Sequence, residues 1–431
     1  MLKGFLNAFR VKELRSKILL TIGILVLYRI GAYIPVPGVP FKSMLDTFQQ
    51  SASSTSGALA VLNLFSGGAL SRVSVFCLGI MPYITAQIIF QMLQAVIPSL
   101  GTMAREGEAG QRKVTQYTRY LTIGLALLNS IGYLFLFKSS SFGITFSGEG
   151  MPPEPLMDVV VVFAMLVGAV IIMWLGEVIT QRGIGNGMSL IIFANIMAGL
   201  PTSIIQSLQT SEHGVILTIL TIVVIIAVVP VIVFIERGQR RIPVQYAKRV
   251  VGRQMTGGQS SYLPIKVNTA GVIPIIFASS ILYLPAQISV FFPNVEWMTT
   301  FANAVSTGWI NWILSVALIV LFAYFYTSMV FNPDETASML NKQGGFIPGV
   351  RPGAPTAAYI KNVLNHMTLP GALFLAFIAI VPSILFMFTN NSLIQAFGGT
   401  SILIMVGVAL DTVSQVESRL KTANYESLFL K

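Results

Sequence analysis

Side chains able to do chemistry are scarce in the apolar part of this chain. Arg29 lies near the outer end of one long apolar run and Asp411 near the inner end of another, while His213 and His366 fall in gaps between runs. An ion-coupled transporter carries an acid or a histidine deep in a span, where water is too scarce to hold the coupling ion, and none is central here. Charges near span ends ordinarily snorkel or pair. Nucleotide hydrolysis requires a Gly-Lys-Ser/Thr turn around phosphate, and the sequence contains no Gly-Lys pair. Gly187-Met188-Ser189 puts a serine inside a span with no intramembrane histidine to activate it, and Asp411 has no second aspartate. Cys77 is the only cysteine, which excludes an intrachain disulfide framework or a thiolate metal cluster. With no catalytic, metal or cofactor constellation, the remaining classes are a pore, a receptor and a scaffold.

The elements around these residues are membrane spans. Charged residues make up 10% of the chain, 54% is apolar and mean hydropathy is +0.76, outside the usual balance of soluble proteins. A helical span needs about 20 mostly apolar residues. Such runs lie at about Ile18 to Ile34, Val73 to Val96, Tyr120 to Phe137, Val159 to Leu175, Met188 to Ile205, Val215 to Ile235, Val267 to Phe292, Trp309 to Phe331, Leu369 to Phe388 and Leu393 to Leu410. The first is followed by Pro35-Val36-Pro37 rather than a small-residue cleavage site and reads as a retained span. Of the 27 lysines and arginines, all except Arg29, Lys42, Arg72 and Lys138 fall in every second gap. Basic loops stay in the cytoplasm, so ten spans with both termini cytoplasmic are expected. A net charge of +11 placed beside spans makes anionic lipid the minimum partner.

Between the first two runs, Ser51 to Gly57 is a polar joint, Ala58 to Phe65 is apolar, and Ser66-Gly67-Gly68 follows. Eight apolar residues are too few to cross a bilayer, so this piece is either re-entrant, stoppering a cavity, or an amphipathic helix on the outer surface. Pro82, Pro230, Pro274, Pro285 and Pro382 fall within runs, where each can kink a helix. Gln87, Gln91 and Asn129 put amides in the second and third runs, where hydrogen bonding between helices is their usual role. An even number of spans permits two inverted halves around a central cavity, although no residue-level repeat is evident.

Ordered motifs run along the chain. They are Tyr28-Arg29-Ile30-Gly31, Ile34-Pro35-Val36-Pro37-Gly38, Leu78-Gly79-Ile80-Met81-Pro82-Tyr83-Ile84 and Gly183-Ile184-Gly185-Asn186-Gly187. Further on come Glu236 to Arg241, Lys266 to Pro274 continuing through Ser279-Ser280, Pro348 to Gly353, and Gly398-Gly399-Thr400-Ser401. In these, essentially the whole chain resembles bacterial SecY, the family of channel-forming subunits of the protein translocon. The resemblance implies an all-α polytopic fold of ten helices, in two inverted five-helix halves (1–210 and 211–431) around an hourglass pore with a re-entrant plug at about 58–70.

Carried onto the matching positions, the resemblance implies a pore ring of Ile80, Ile84, Met188, Ile192, Ile276 and Ile404. The plug would include Leu62, Leu64, Phe65 and the Gly67-Gly68 joint. Spans two, three, seven and eight would form a lateral gate bearing Gln87, Gln91, Asn129, Ser279 and Ser280. Two cytoplasmic loops, about 236–266 and 332–366, would dock the SecA motor or the translating ribosome through Arg237, Arg240, Arg241, Lys248, Arg249 and Arg351. SecE and SecG are the implied membrane partners and signal-peptide-bearing preproteins the cargo, in the bacterial plasma membrane. Without the resemblance, each ring residue reads as plain helix packing and the basic loops equally as topogenic charge or as docking sites, while Arg351, braced by Pro348, Gly349, Pro352 and Gly353, reads as a partner contact. The expectation is thus a protein-conducting channel that is not an enzyme and needs no cofactor. Its rivals are a solute transporter, which lacks the polar midplane site it would need, and a scaffold for assembly factors.

Overall fold

The computed structural model describes residues 9, 11–38, 63, 66–138, 153–209, 214–246, 249–251, 254–256, 260–291, 295–306, 308–389 and 398–429. Apolar runs become helices because, in hydrocarbon, every backbone N–H and C=O must find its partner within the segment. The helices are α1 (Lys12–Gly31), α2 (Met81–Val96), α3 (Pro98–Arg105), α4 (Glu108–Lys138), α5 (Glu154–Arg182), α6 (Gly187–Gln209) and α7 (Gly214–Glu236). After four strands follow α8 (Ile273–Phe291), α9 (Glu296–Ser306), α10 (Gly308–Val330), α11 (Pro333–Lys342), α12 (Ala354–Thr389) and α13 (Gly399–Phe429).

Every expected run contains a helix, but fewer than ten satisfy length and composition together. Among the described residues, 7 helical stretches are long and apolar enough to cross a membrane, or 8 if α2 and α3, bent by 109°, count as one span. The bend falls at Ile97, an extended residue ahead of Pro98, whose ring disfavours helix at the residue before it. The first run is the helix α1, which carries Arg15, Lys17 and Arg29, and the apolar helix of the seventh is Ile273–Leu282. The second run begins later than expected. Residues 66–80 form turns, so Pro82 lies in the first turn of α2, where a missing N–H costs nothing. Pro230, Pro285 and Pro382 do lie inside helices, joined by Pro201 and Pro370.

Burial separates inner from outer helices. Half of the apolar window of α5 is buried, against 17% for α7, whose Val215, Ile219, Val223, Ile226 and Phe234 point away from the protein. Helix α2 packs on α4 and α8, α8 on α10 and α13, and α6 on α5, α7 and α13, while α1 lies against α5 and α13.

The two loops expected to dock partners fold together, an addition to the all-helical reading. Strand β1 (Gln239–Tyr246) pairs antiparallel with β4 (Ser260–Lys266), from Gln239 opposite Lys266 to Gln245 opposite Ser260. The distant β5 (Gly345–Phe346) joins the other edge of β1, Gln245 facing Phe346, and β2 (Arg249–Val251) pairs with β3 (Gln254–Thr256). Along β1 Ile242 and Val244 are buried and Tyr246 half-buried on one face, against Ile265, Leu340, Ile347, Ile360 and Leu364. That alternation of period two is short and embedded in basic residues, which is why charge dominates the sequence pattern there.

Candidate functional site

The sequence sets the start of each of four helices, α2, α6, α8 and α13. Ile80 is the N-cap residue of α2, with Pro82 in the first turn. Before α6, the Asn186 side-chain oxygen accepts from the Met188 N–H at 3.1 Å. Thr180 Oγ1 accepts from Gly187 N–H at 2.9 Å, Thr21 Oγ1 from Ile184 N–H at 3.2 Å, and Gln415 Oε1 from Gly185 N–H at 3.1 Å. The Gly183 to Gly187 motif is therefore a junction that α1, α5 and α13 grip together. Before α8, Asn268 Nδ2 donates to Glu236 Oε1 at 2.7 Å and to the Gly271 carbonyl at 3.0 Å, tying this helix start to the end of α7. Helix α13 opens with Ser401 N–H donating to the Gly398 carbonyl at 2.8 Å.

The six residues expected to form the ring lie at the N-cap or within the first two turns of these helices. Ile80, Ile84, Met188, Ile192, Ile276 and Ile404 are all buried, Ile404 at 0% exposure and Met188 the most exposed at 7%, and all belong to one apolar cluster. That cluster also holds ordinary packing residues, so membership brings the six together without singling them out. Met188 differs from the isoleucines in direction: its thioether lies against Gly176 of α5, where a β-carbon would collide with it.

Of the plug residues, Leu62, Leu64 and Phe65 lie outside the described residues, and Gly67 and Gly68 are defined. Both glycines are left-handed, with φ of 67° and 81°. The turn is held by Gly68 N–H donating to the Asn63 carbonyl at 2.8 Å, Ser71 N–H to Asn63 Oδ1 at 3.0 Å and Leu70 N–H to Ser66 Oγ at 3.1 Å.

The helices expected at the gate do pack together, α2 against α4 and α8, and α8 against α10. Among the described residues, the polar residues named for it make no hydrogen bond between these helices. Ser279 Oγ and Ser280 Oγ donate within their own helix, to Ile275 O at 2.9 Å and Ile276 O at 2.7 Å. Gln87 and Asn129 are partly buried, and Gln91 Oε1 is buried with no hydrogen-bond partner among the described residues. Aromatic contacts instead tie the helices within each half. Phe90 stacks on Tyr117 between α2 and α4 at 6.0 Å, and Phe277 meets Phe322 edge-on between α8 and α10 at 5.8 Å. An orphaned buried acceptor costs about 1–3 kcal/mol. Gln91→Leu should therefore stabilise the closed seam by about 1 kcal/mol. In a membrane-integration assay, a test segment should then need roughly two more leucines, at about 0.5 kcal/mol each, for half-insertion. An unchanged or lowered threshold would show that Gln91 is not buried against the seam in the closed state.

The basic residues of the loops are solvent-facing. Arg237, Arg240, Arg241 and Arg351 are exposed, and Arg241 lies over the Tyr262 ring at 5.0 Å. Lys248 lies outside the described residues, and of Arg249 only the backbone, in β2, is described. Arg351 rides a turn between left-handed Gly349 and Gly353, its carbonyl accepting from Thr356 Oγ1 at 2.8 Å. Because Ile347 and Val350 pack with Ile242 and Val244, both loops present their arginines from one body.

One ionic contact was not anticipated. Arg119 of α4 grips Glu177 of α5 with two hydrogen bonds, Nε to Oε1 at 2.8 Å and Nη2 to Oε2 at 2.5 Å, and the glutamate side chain is 10% exposed. Nothing in the sequence pairs residues so far apart. It clamps the third run to the fourth.

A family model described as SecY matches residues 74–413. The protein translocase subunit SecY of Streptomyces coelicolor is 48% identical over 436 residues, covering 99% of each chain. Among solved structures, one described as a protein conducting channel superposes with a TM-score of 0.62 at 19% identity, covering 94% of this chain and 92% of its own. The channel of the canine ribosome-channel complex from the endoplasmic reticulum gives a TM-score of 0.58 at 18% identity, covering 94% of this chain and 92% of its own.

Proposed function

This chain belongs to the SecY family of protein translocase subunits, and we propose that the apolar cluster shared by α2, α6, α8 and α13 is the seal of the pore. It is a subunit of a protein-conducting channel, a multi-pass protein of the plasma membrane and not an enzyme in its own right. The observation that carries the seal is the burial of Ile80, Ile84, Met188, Ile192, Ile276 and Ile404 in one cluster, drawn from four helices that the sequence separates widely. An apolar constriction holds back ions by dewetting rather than by binding them, and flexible side chains yield around a passing polypeptide. Met188, unbranched and resting on α5, is the most compliant member.

In this reading the two halves, 1–210 and 211–431, part along the seam of α2 and α4 against α8 and α10. A signal peptide's apolar core enters there. Ten leucine-like residues at roughly 0.5 kcal/mol each supply about 5 kcal/mol, enough to shift a gate poised within a few kcal/mol. The segment ending at Gly67-Gly68 is the plug. No nucleotide site accompanies the channel, so the drive comes from outside. Arg237, Arg240, Arg241, Lys248, Arg249 and Arg351 dock either the SecA motor or the ribosome, whose RNA phosphates suit a basic surface. SecE and SecG complete the membrane complex, anionic lipid surrounds the basic side, and both termini are cytoplasmic.

Reconstitution tests the function. Vesicles containing the chain with SecE, SecG, SecA and ATP should render a secretory precursor resistant to external protease. A precursor that stays fully digestible beside an active control translocon would overturn the channel reading in favour of a docking scaffold.

A further inference from the structure

Arg29 lies near the end of the first run, where an arginine ordinarily snorkels to the headgroups. Here its Nη1 donates to the carbonyl of Gly67, 38 positions along the chain, at 2.6 Å, and its Nη2 reaches Tyr33 Oη at 3.4 Å. Three further observations show a built fastening. A β-carbon on Gly67 would meet Asn195 Oδ1 at 2.5 Å and Arg29 Nη1 at 2.9 Å, so the joint is wedged between α1 and α6 and admits only glycine. Asn195 follows the ring residue Ile192 by three positions on α6, which puts the wedge about one turn from the ring. Tyr33 lies beneath two guanidinium groups, Arg29 at 5.1 Å and Arg72 at 4.1 Å, so one ring holds both ends of the joint. Just beyond Arg72, the β-branched Val73 is left-handed at φ 42°, and its carbonyl is pinned by Val36 N–H at 3.0 Å. Strain of this kind persists only where the surroundings enforce it.

We propose that Arg29 is a positioning residue that fastens the Gly67-Gly68 joint to the first span in the closed channel, and that the Gly67 carbonyl must leave Arg29 before the segment preceding it can leave the pore. The inference rests on reading that segment as the plug. It gives the Tyr28-Arg29-Ile30-Gly31 and Ser66-Gly67-Gly68 motifs one shared role. Arginine suits the site because its planar fork reaches the Gly67 carbonyl with one nitrogen and Tyr33 with another, whereas the three donors of a lysine radiate from a single nitrogen.

The test uses the intact translocon with Cys77→Ser and Ser66→Cys, a thiol at a buried joint position. Its labelling by a membrane-impermeant maleimide from the outer side reports release of the joint. Arg29→Ala should label at least tenfold faster, and Arg29→Lys about threefold. If Arg29→Ala does not accumulate, the lysine variant alone decides. Deleting residues 58–65 should raise ion leak, and adding Arg29→Ala to that deletion should raise it no further. Wild-type labelling rates at residue 29 variants, with a leaky deletion, would sink the fastening and spare the plug. A deletion that does not leak would sink the plug reading itself. Additive leak in the combined variant would assign Arg29 a general structural role instead.

Discussion

Ile404→Asn should raise the ion conductance of the resting channel at least tenfold in planar-bilayer recordings. Ile404 is fully buried in the cluster shared by α2, α6, α8 and α13. An amide placed there without partners costs about 1–3 kcal/mol unless water enters to satisfy it, and entry of water is what breaks a dewetted seal. The neighbouring Leu403 is equally buried but lies about 100° around the helix. Leu403→Asn should therefore lower stability without a comparable leak. Equal conductance for the two asparagine variants would mean that Ile404 packs a core and lines no pore.

Arg351→Glu should cut partner-driven translocation at least tenfold while leaving resting conductance unchanged. Tenfold corresponds to about 1.4 kcal/mol, below the roughly 2–5 kcal/mol typical of losing one partner of a hydrogen-bonded charge pair at an interface. The side chain is exposed, and its turn is set by Gly349, Gly353 and Thr356 rather than by the arginine, so the fold should tolerate the change. Transport and motor affinity measured in the same vesicles check this. A variant that binds the motor normally and still fails to transport would move Arg351 from docking to gating.

The spans and the proposed ring rest on different signals in the sequence. A run such as Val215 to Ile235 declares itself because no soluble core needs so many consecutive apolar residues. Ile80 and Ile404 declare nothing by themselves, since an isoleucine at a pore and one in a core look alike in sequence. Only the motifs around them carried that expectation. The start of the second run was misjudged because residues 73–80 are as apolar as a helix, whereas Gly79 at φ 56° and the turn at Val73 keep them out of one. Ser279 and Ser280 illustrate another limit. A hydroxyl in a helix can satisfy itself on the carbonyl four residues back, so its presence in a span does not predict a contact across a seam. The Arg119 to Glu177 clamp and the shared core of the two loops join distant residues through tertiary packing, which a one-dimensional pattern does not encode.

The most direct measurement places a moving chain at the seal. With Cys77→Ser removing the only thiol, a single cysteine at Ile276, 6% exposed in the closed cluster, faces a secretory precursor that bears its own cysteine and is stalled partway across membranes containing SecE and SecA. A disulfide between the two is the predicted result, lost when the precursor lacks its signal peptide. Cross-links confined to loop positions such as Arg240 and Arg351, with Ile276 and Ile404 silent, would contradict a pore through this cluster.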